Sequence, residues 1–559
     1  MEDIAKRFMK HDRILSKNAH EYLTGRPALI SRIESLLDEG GELPLIIDVG
    51  HIRELDLTDD RPEEGPRDDA AIQEDEGSEI VHPKEDPGPE HESTGSKHEE
   101  IKDMLQDIPG SVSKTLGRGR TTANHSPVKR RSGPGGEPIP LASEYPAEIE
   151  ILRDMYSDPE GQGKIEDFKN LFMDRFRSMR EILLYQYSDL YPNRDIYDLQ
   201  TADDTVRFTG IINSIRSTKN GHIMVRMEDP TGSIKVLLSK TKKELEGVRL
   251  VNDEVIGIIG KYKPGNRMGG PIVFADRVFK VDIPMHHKRK LSPVKGLTAA
   301  FTSDIHIGSR NYLEKEWDRM VKWLRGESSA SLPSREGTRV KYLVIAGDLV
   351  DGIGTYPNQE RDLAIKDIYG QYEALAESLH DIPDHVEIIM IPGNHDVVRL
   401  AEPQPVIPKD FQEIFSYDNI HFMSNPTYFS IHGVNVLGYH GKSFDDMVTI
   451  FKDVSYEDPV PGMVEMLRSR HLSPAYGMRN QLAPAESDRL IIKDVPDIFV
   501  TGHVHSFGIG YYKGVQLVQG STWQSQTDYQ KMMNFKPQPA KMGIVELDKP
   551  KTQRVWEIT

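Results

Sequence analysis

The chain contains no cysteine among its 559 residues. This absence excludes disulfide bonds and thiolate metal sites, so oxygen and imidazole nitrogen must hold any bound metal. No apolar run approaches the ~18 residues that a membrane-spanning helix needs. The N-terminal stretch MEDIAKRFMKHDR is charged where a secretory signal would be apolar. We therefore expect a cytoplasmic protein with no membrane partner.

Basic residues are scarce in one part of the chain, which dominates the formal net charge of −18. Residues 51–100 hold 18 Asp and Glu against 5 Lys and Arg, a net charge of −13. The remaining residues carry only −5 in total. The overall charge therefore describes one segment and does not exclude a nucleic-acid partner.

The chain is long enough for several domains of ~100–200 residues. Within residues 1–50, apolar residues recur at helical spacing and predict a small helical module. These residues are Leu29, Ile30, Ile33, Leu36 and Leu37. A docking module and a solvated helical hairpin both fit this pattern.

Residues 51–142 are rich in Asp, Glu, Pro, Gly and Ser and have few aromatics. Such a composition buries too little apolar surface to offset its ordering entropy, so we expect a disordered linker. Its end is basic, through Lys114, Arg118, Arg120, Lys129, Arg130 and Arg131. This stretch either contacts a phosphate backbone or is simply solvated.

Two segments precede the region that carries the chemistry. Residues 143–200 are predicted to be helical, with an apolar stripe that favours a core face over a nucleotide-stacking surface. The stripe consists of Phe168, Leu171, Phe172, Met179 and Leu183. Residues 201–290 contain five β-rich runs separated by turn signals, which predict an OB-fold barrel.

OB folds often bind single-stranded nucleic acid through a basic groove with aromatic platforms. The barrel segment offers a candidate set of basic contacts, but few aromatics lie between them. The set is Arg207, Arg216, Lys261, Lys263 and Arg267. Nucleic-acid contact and packing against the neighbouring domain therefore both remain open for this segment.

Within residues 295–559, apolar β-like runs repeatedly end in residue types that ligate metals. Because the carboxyl ends of strands gather functional loops in layered α/β proteins, we expect one shared site. The five strand ends supply Asp304-Ile305-His306, Gly347-Asp348-Leu349-Val350-Asp351, Gly393-Asn394-His395-Asp396, His440-Gly441 and Gly502-His503-Val504-His505.

The spacing within these motifs suggests how they reach a metal. If Asp304 and His306 lie on an extended segment, both side chains point to the same side, and the same holds for His503 and His505. The glycines allow sharp turns beside the ligands. A carboxylate such as Asp348 can bridge two cations. Two divalent ions ~3.5–4 Å apart stabilise both the attacking and the leaving oxygen of a phosphodiester displacement.

The series DIH, GDLVD, GNHD, GYHG and GHVH resembles the signature of calcineurin-like metallophosphoesterases. The resemblance implies an α/β fold, a four-layer sandwich in which two β-sheets are flanked by helices, preceded here by the barrel. It implies one metal held by Asp304, His306, Asp348 and His505, and a second held by Asp348, Asn394, His440 and His503. It also implies that His395 faces the scissile phosphate, that Asp396 orients His395, and that Asp351 supports the site.

The order of a helical start, a linker, a barrel and a complete phosphoesterase resembles the small-subunit family of archaeal D-family DNA polymerases. That resemblance implies a 3′→5′ proofreading exonuclease acting on single-stranded or mismatched 3′ ends of DNA. It implies Mn²⁺, with Fe, Zn or Mg as alternatives, a large polymerase subunit as partner, and a nucleoid location. A stand-alone repair nuclease or related phosphodiesterase is one alternative. A structural polymerase component with a vestigial site, as in the eukaryotic relatives of this family, is the other.

Overall fold

The computed structural model describes residues 141–153, 161, 163–201, 205–265, 270–532, 534–552 and 554–558, with positions 14, 15, 30, 33, 46 and 47. Near the N-terminus, β1 (Ile14–Leu15) pairs in parallel with β2 (Ile46–Ile47). Ile30 and Ile33 are helical and buried, which agrees with the predicted helix. The predictions for Leu29, Leu36, Leu37, the linker with its basic residues, and Arg267 lie outside the described residues.

The remaining strands among the described residues follow in chain order. They are β3 Ile149–Arg153, β4 Thr205–Ser217, β5 Ile223–Asp229, β6 Gly232–Leu238, β7 Val255–Lys263, β8 Ile272–Phe279, β9 Thr298–Thr302, β10 Val340–Ala346, β11 Glu387–Ile391, β12 Ile420–Phe422, β13 Thr427–Ile431, β14 Val434–Gly438, β15 Ile498–Thr501, β16 Gly508–Tyr512, β17 Val515–Gln519, β18 Lys541–Glu546 and β19 Arg554–Glu557.

From residue 141 onward, the described α-helices are α1 Ile165–Gln186, α2 Glu314–Leu324, α3 Ser334–Gly337, α4 Ile368–His380, α5 Lys409–Gln412, α6 Phe444–Ile450, α7 Val460–Ser469 and α8 Asp528–Met532. Short 3-10 turns lie at Leu141–Glu144, Ser188–Leu190, Ile196–Thr201, Lys243–Leu245 and Gln359–Arg361. In the part of the chain that the structure describes, no helix has the length and apolar character needed to cross a bilayer.

Strands β4 to β8 form a closed barrel in the order β4-β5-β6-β8-β7. All neighbours pair antiparallel except β6 and β8, which pair in parallel. Alternate residues such as Phe208, Val225 and Ile258 point inward and are buried. The five β-rich runs of the sequence coincide with these strands, so the predicted five-strand barrel is confirmed.

Two six-stranded sheets make up the larger core. The first has the order β12-β11-β10-β9-β18-β19, and the second has the order β16-β17-β15-β14-β13-β3. Every residue of β10 is buried, as expected for a strand covered on both faces. Residues of both sheets, including Phe301, Val344, Phe429 and Val500, share one apolar core.

Helices cover the outer faces of both sheets. The side chains of α2 and α4 pack on the first sheet, and those of α6 and α7 pack on the second. The order of layers is therefore helices, sheet, sheet and helices. These layers confirm the mixed α/β class, whereas the assignment to the calcineurin-like fold stays a prediction.

The prediction that residues 143–200 form a helical segment is partly wrong. Strand β3 lies within this segment and pairs antiparallel with β13 at the edge of the second sheet. The run EIEILRDM contains too few residues for its period to separate a strand from a helix, so tertiary pairing decides. The second sheet therefore takes an edge strand from a part of the chain that precedes the barrel.

Helix α1 carries the predicted stripe: Leu171, Phe172, Met179 and Leu183 are buried, and Phe168 is half-buried. The stripe is thus a core face. Its C-terminal half packs against the barrel. Arg175 is also buried, and its Nε donates to Oδ2 of Asp488 in the two-sheet core at 2.6 Å. Helix α1 therefore contacts both the barrel and the two-sheet core.

Candidate metal centre

The predicted ligands follow five strands whose carboxyl ends meet. Strands β9, β10 and β11 run parallel in the first sheet, and β14 and β15 run parallel in the second. Each strand therefore delivers its following loop to the same edge of the core. The structure brings together Asp304, His306, Asp348, Asn394, His440, His503 and His505.

The first group of donors consists of Asp304, His306 and His505, all buried. The Nε2 atoms of His306 and His505 face each other at 3.0 Å. Oδ1 of Asp304 lies 3.4 Å from Nε2 of His505 and 3.9 Å from Nε2 of His306. The three donor atoms all lie within 4.8 Å of one another, so they could hold one metal ion together.

The second group lies beside the first and consists of Asp348, His440, His503 and Asn394. Nε2 of His440 is 3.3 Å from Oδ2 of Asp348 and 3.1 Å from Oδ1 of Asn394. The ligand atoms of Asp348, His440 and His503 all lie within 4.8 Å of one another. The same Oδ2 of Asp348 is 3.8 Å from Nε2 of His306. Asp348 therefore stands between the two groups.

Hydrogen bonds fix which nitrogen each imidazole turns to the centre. Nδ1 of His306 bonds to Oδ1 of Asp351 at 3.0 Å, and the supporting role of Asp351 stays a prediction. Nδ1 of His440 donates to the carbonyl of Ala346 at 2.9 Å. In both residues Nε2 is then the nitrogen that faces the carboxylates. Such outer partners set the tautomer and the basicity of a metal-binding histidine.

The supporting residues of the other two histidines escaped the sequence analysis. Nε2 of His503 lies 3.4 Å from Oδ1 of Asp445, which also accepts from the hydroxyl of Tyr456 at 2.9 Å. The amide of Gln530 contacts Nδ1 of His505 at 2.9 Å. Neither Asp445 nor Gln530 belongs to one of the five sequence motifs that supply the ligands. Their contacts with His503 and His505 are therefore visible only in the folded structure.

The backbone at the ligands is unusual and corrects one prediction. Asp304, His306, Asp348, His503 and His505 have φ values of 53°, 54°, 50°, 73° and 53°. These are left-handed conformations, so the expectation of extended D-x-H and H-x-H segments is wrong. Non-glycine residues in this region cost on the order of 1–3 kcal/mol each and tend to cluster at functional sites. Tertiary bonds hold them, as when the Asp304 carboxylate accepts from the His503 amide at 2.9 Å.

Two glycines are required by close approach to the donors. A Cβ on Gly347, whose φ is +91°, would lie 2.3 Å from Nδ1 of His440. A Cβ on Gly393 would lie 2.2 Å from Oδ1 of Asp348. We expected the glycines to allow sharp turns of the backbone, and Gly393 is needed for a different reason. At position 393 the missing side chain makes room for a carboxylate.

His395 lies at the edge of the centre and is half-buried. Its Nδ1 donates to the carbonyl of Asp351 at 2.7 Å, and its ring meets that of His306 edge-on with centroids 4.8 Å apart. The prediction that Asp396 orients the His395 ring is therefore wrong. The Asp396 carboxylate accepts from the amides of Gly393 at 2.8 Å and Leu349 at 3.2 Å, so it joins two ligand loops.

The buried carboxylates and imidazoles of the centre shift one another's pKa. Burial opposes the charged form of Asp348, but the imidazoles of His440 and His395 outweigh it and hold the pKa of this carboxyl well below its usual range. Burial likewise lowers the pKa of His440, yet the charge of Asp348 prevails and raises that pKa to about 10. Burial lowers the pKa of His306, which keeps its imidazole neutral.

The donor set indicates which cations suit the centre. Carboxylate oxygens, an amide oxygen and imidazole nitrogens converge, and the chain has no thiol to offer. Imidazole suits Zn and Fe, whereas carboxylate and amide oxygens suit Mn and Mg. The residues present thus fit one or two divalent ions of this class.

Comparison with known proteins decides the family. The family profile for the B subunit of DNA polymerases alpha and epsilon matches residues 299–508, a range that contains every donor above. Small subunits of DNA polymerase II from Archaeoglobus fulgidus and Methanocaldococcus jannaschii are each 40% identical to this chain. The first alignment covers 71% of this chain and 78% of that protein, and the second covers 73% and 68%. The chain belongs to the family of archaeal DNA polymerase II small subunits.

A less similar relative in the same family aligns with a larger part of this chain. The DNA polymerase II small subunit of Pyrococcus horikoshii is 34% identical over 82% of this chain and 73% of its own length.

The predicted nucleic-acid contacts of this small subunit that the structure describes lie on strands β4 and β7 of the barrel. Arg207 on β4 is opposite Ile259 on β7, and Lys261 and Lys263 continue the same outer face of β7. Nε of Arg207 donates to the carbonyl of Asp189 at 3.1 Å. Arg216 is exposed near the other end of β4. The structure thus groups three of the four described basic residues, and their contact with DNA stays a prediction.

Proposed function

We propose that the chain is a two-metal 3′→5′ exonuclease that removes nucleotides from single-stranded or mismatched 3′ ends of DNA. One observation carries this proposal. The carboxylate of Asp348 lies between two groups of donors, 3.8 Å from His306 on one side and 3.3 Å from His440 on the other. A carboxylate placed in this way is suited to bridge two ions.

The donors divide naturally between the two ions. Asp304, His306, His505 and Asp348 would hold the first, and Asp348, Asn394, His440 and His503 would hold the second. Mn²⁺ is the favoured ion, with Fe, Zn or Mg as alternatives. A pair of divalent ions supplies charge that stabilises the attacking and leaving oxygens of a phosphodiester.

The chain's own residues supply the remaining chemistry. Because Nδ1 of His395 donates to the Asp351 carbonyl at 2.7 Å, its Nε2 is free to meet a phosphate oxygen. When protonated, that nitrogen donates a proton to the leaving oxygen or stabilises the charge on the phosphate. Asp351 also holds His306 at 3.0 Å, so one residue positions both a donor and the proposed acid.

The family supplies the biological setting of this proposal. Its members are named small subunits of DNA polymerase II, so we propose DNA as the substrate and a large polymerase subunit as the partner. The complex would then polymerise through the large subunit and proofread through this chain. A stand-alone phosphodiesterase has the same centre but no such partner.

The proposal is tested by cleavage of end-labelled DNA. Single-stranded DNA and duplexes with a matched or mismatched 3′ end are incubated with the purified chain and Mn²⁺, with and without a large subunit. We expect mononucleotides released from the 3′ end, faster from single-stranded and mismatched DNA than from matched DNA. No cleavage under any of these conditions would support a structural subunit instead.

The matched control is Asp348→Asn, which keeps the size of the side chain but removes the charge that both ions share. Loss of a residue that only supports a metal ligand lowers activity by up to about a hundredfold. Because Asp348 is itself a proposed ligand, we expect the activity of Asp348→Asn to fall further than that. Elemental analysis should show that bound metal falls with it. Full activity together with two retained ions would contradict the bridging role of Asp348.

A further inference from the structure

An aromatic pair lies beside His395 at the edge of the centre. The ring of Tyr356 is 6.5 Å from the ring of His395. Tyr529 stacks on Tyr356 with centroids 5.9 Å apart and an angle of 26° between the rings. The hydroxyl of Tyr356 donates to Oδ2 of Asp362 at 3.0 Å, which fixes the inner ring. The two rings therefore extend outward from the proposed phosphate position.

The outer ring is open to solvent yet tied to the centre. Tyr529 is 48% exposed, although aromatic side chains of this size are usually more buried. Its neighbour in α8, Gln530, contacts Nδ1 of His505 at 2.9 Å. The same short helix thus touches a proposed metal ligand and presents a flat aromatic face.

We propose that Tyr356 and Tyr529 form a stacking platform for the base of an unpaired 3′-terminal nucleotide whose phosphate lies at His395. This inference rests on the proposed function and adds how the substrate is selected. Aromatic faces accept any base, because every base has a π-face. A paired terminal base must first be unpaired and unstacked, which costs less at a mismatched or frayed end, so the platform favours such ends.

The platform is tested by binding, without cleavage. A single-stranded oligodeoxynucleotide with 2-aminopurine at its 3′ end is titrated with the full chain in EDTA. Stacking on an aromatic ring quenches the fluorescence of 2-aminopurine. We expect quenching with the wild type and with Tyr529→Phe, which keeps the ring. Tyr529→Leu keeps an apolar contact but no aromatic face, so quenching should disappear and affinity should fall about tenfold.

Two controls make the result specific. Tyr185→Leu alters a tyrosine on α1 that is 93% exposed and lies on another element, and it should leave quenching unchanged. An oligonucleotide with 2-aminopurine at its 5′ end should be quenched less than the 3′-labelled one. Absence of quenching with the wild type, equal quenching of both ends, or wild-type binding by Tyr529→Leu would each overturn the platform.

The outcome is separable from that of the proposed function. If Tyr529→Leu loses stacking while the wild type with Mn²⁺ leaves all DNA intact, the nuclease proposal fails and the platform stands. If the wild type degrades DNA but Tyr529→Leu binds the 3′ base equally well, the platform fails alone.

Discussion

The candidate metal centre and the basic face of the barrel, which consists of Arg207, Lys261 and Lys263, both present polar side chains, but they hold them in different ways. At the centre, buried donors such as His306 and His440 are each fixed by a second group. On the barrel, Lys261 is exposed on the outer face of a strand. Chemistry needs donors fixed in one geometry, whereas electrostatic attraction to a phosphate backbone needs only charge of the right sign.

The largest effect should come from His395, which separates chemistry from metal binding. General acid–base residues typically contribute ~10²–10⁴-fold to rate. His395→Ala should therefore lose activity by about this factor while it retains bound metal and thermal stability. Single-turnover cleavage and elemental analysis on the same preparation measure both quantities. Wild-type cleavage by this variant would show that His395 does not act on the phosphate.

The next effect tests whether the centre depends on its outer partners. Asp445→Asn weakens the acceptor that faces Nε2 of His503 at 3.4 Å. Loss of such a partner typically costs about 10–100-fold in metal affinity or activity. The matched control is Asp453→Asn, an exposed residue paired with Arg249 at 2.6 Å. If Asp445→Asn titrates with Mn²⁺ as the wild type and the control do, the centre does not depend on this outer partner.

The smallest effect is expected on the barrel. Lys261→Ala should weaken binding of single-stranded DNA only modestly and leave cleavage of saturating DNA unchanged. If Lys261 contacts one phosphate, the slope of log affinity against log salt should decrease by about 0.7. Lys541→Ala, whose ammonium pairs with Glu557 at 3.1 Å, is the control. An unchanged slope would indicate that this face of the barrel packs against protein.

This contrast explains which residues the sequence could predict. The donors were predictable because Asp304, Asp348, Asn394, His440 and His503 each follow an apolar strand. Their order along the chain therefore reflects the order of strand ends. The barrel was predictable for a similar reason, since its runs of alternating residues are separated by turn signals.

The remaining features depend on tertiary contacts that no local pattern encodes. The left-handed conformation of Asp304 and His503 is held by a bond between them, across the two sheets. Asp445 reaches His503 only because α6 begins beside the second sheet. The contact between Asp396 and the amide of Leu349 depends on the neighbouring loop rather than on the adjacent His395.

The position of β3 has a consequence for synthesis of the chain. Its partner β13 lies beyond the barrel and beyond most of the first sheet. On the ribosome, the edge strand of the second sheet therefore emerges long before the strand that pairs with it. Contacts this distant in sequence form late and slow folding. The barrel, whose strands are consecutive, can close while the nascent chain still lacks the second sheet.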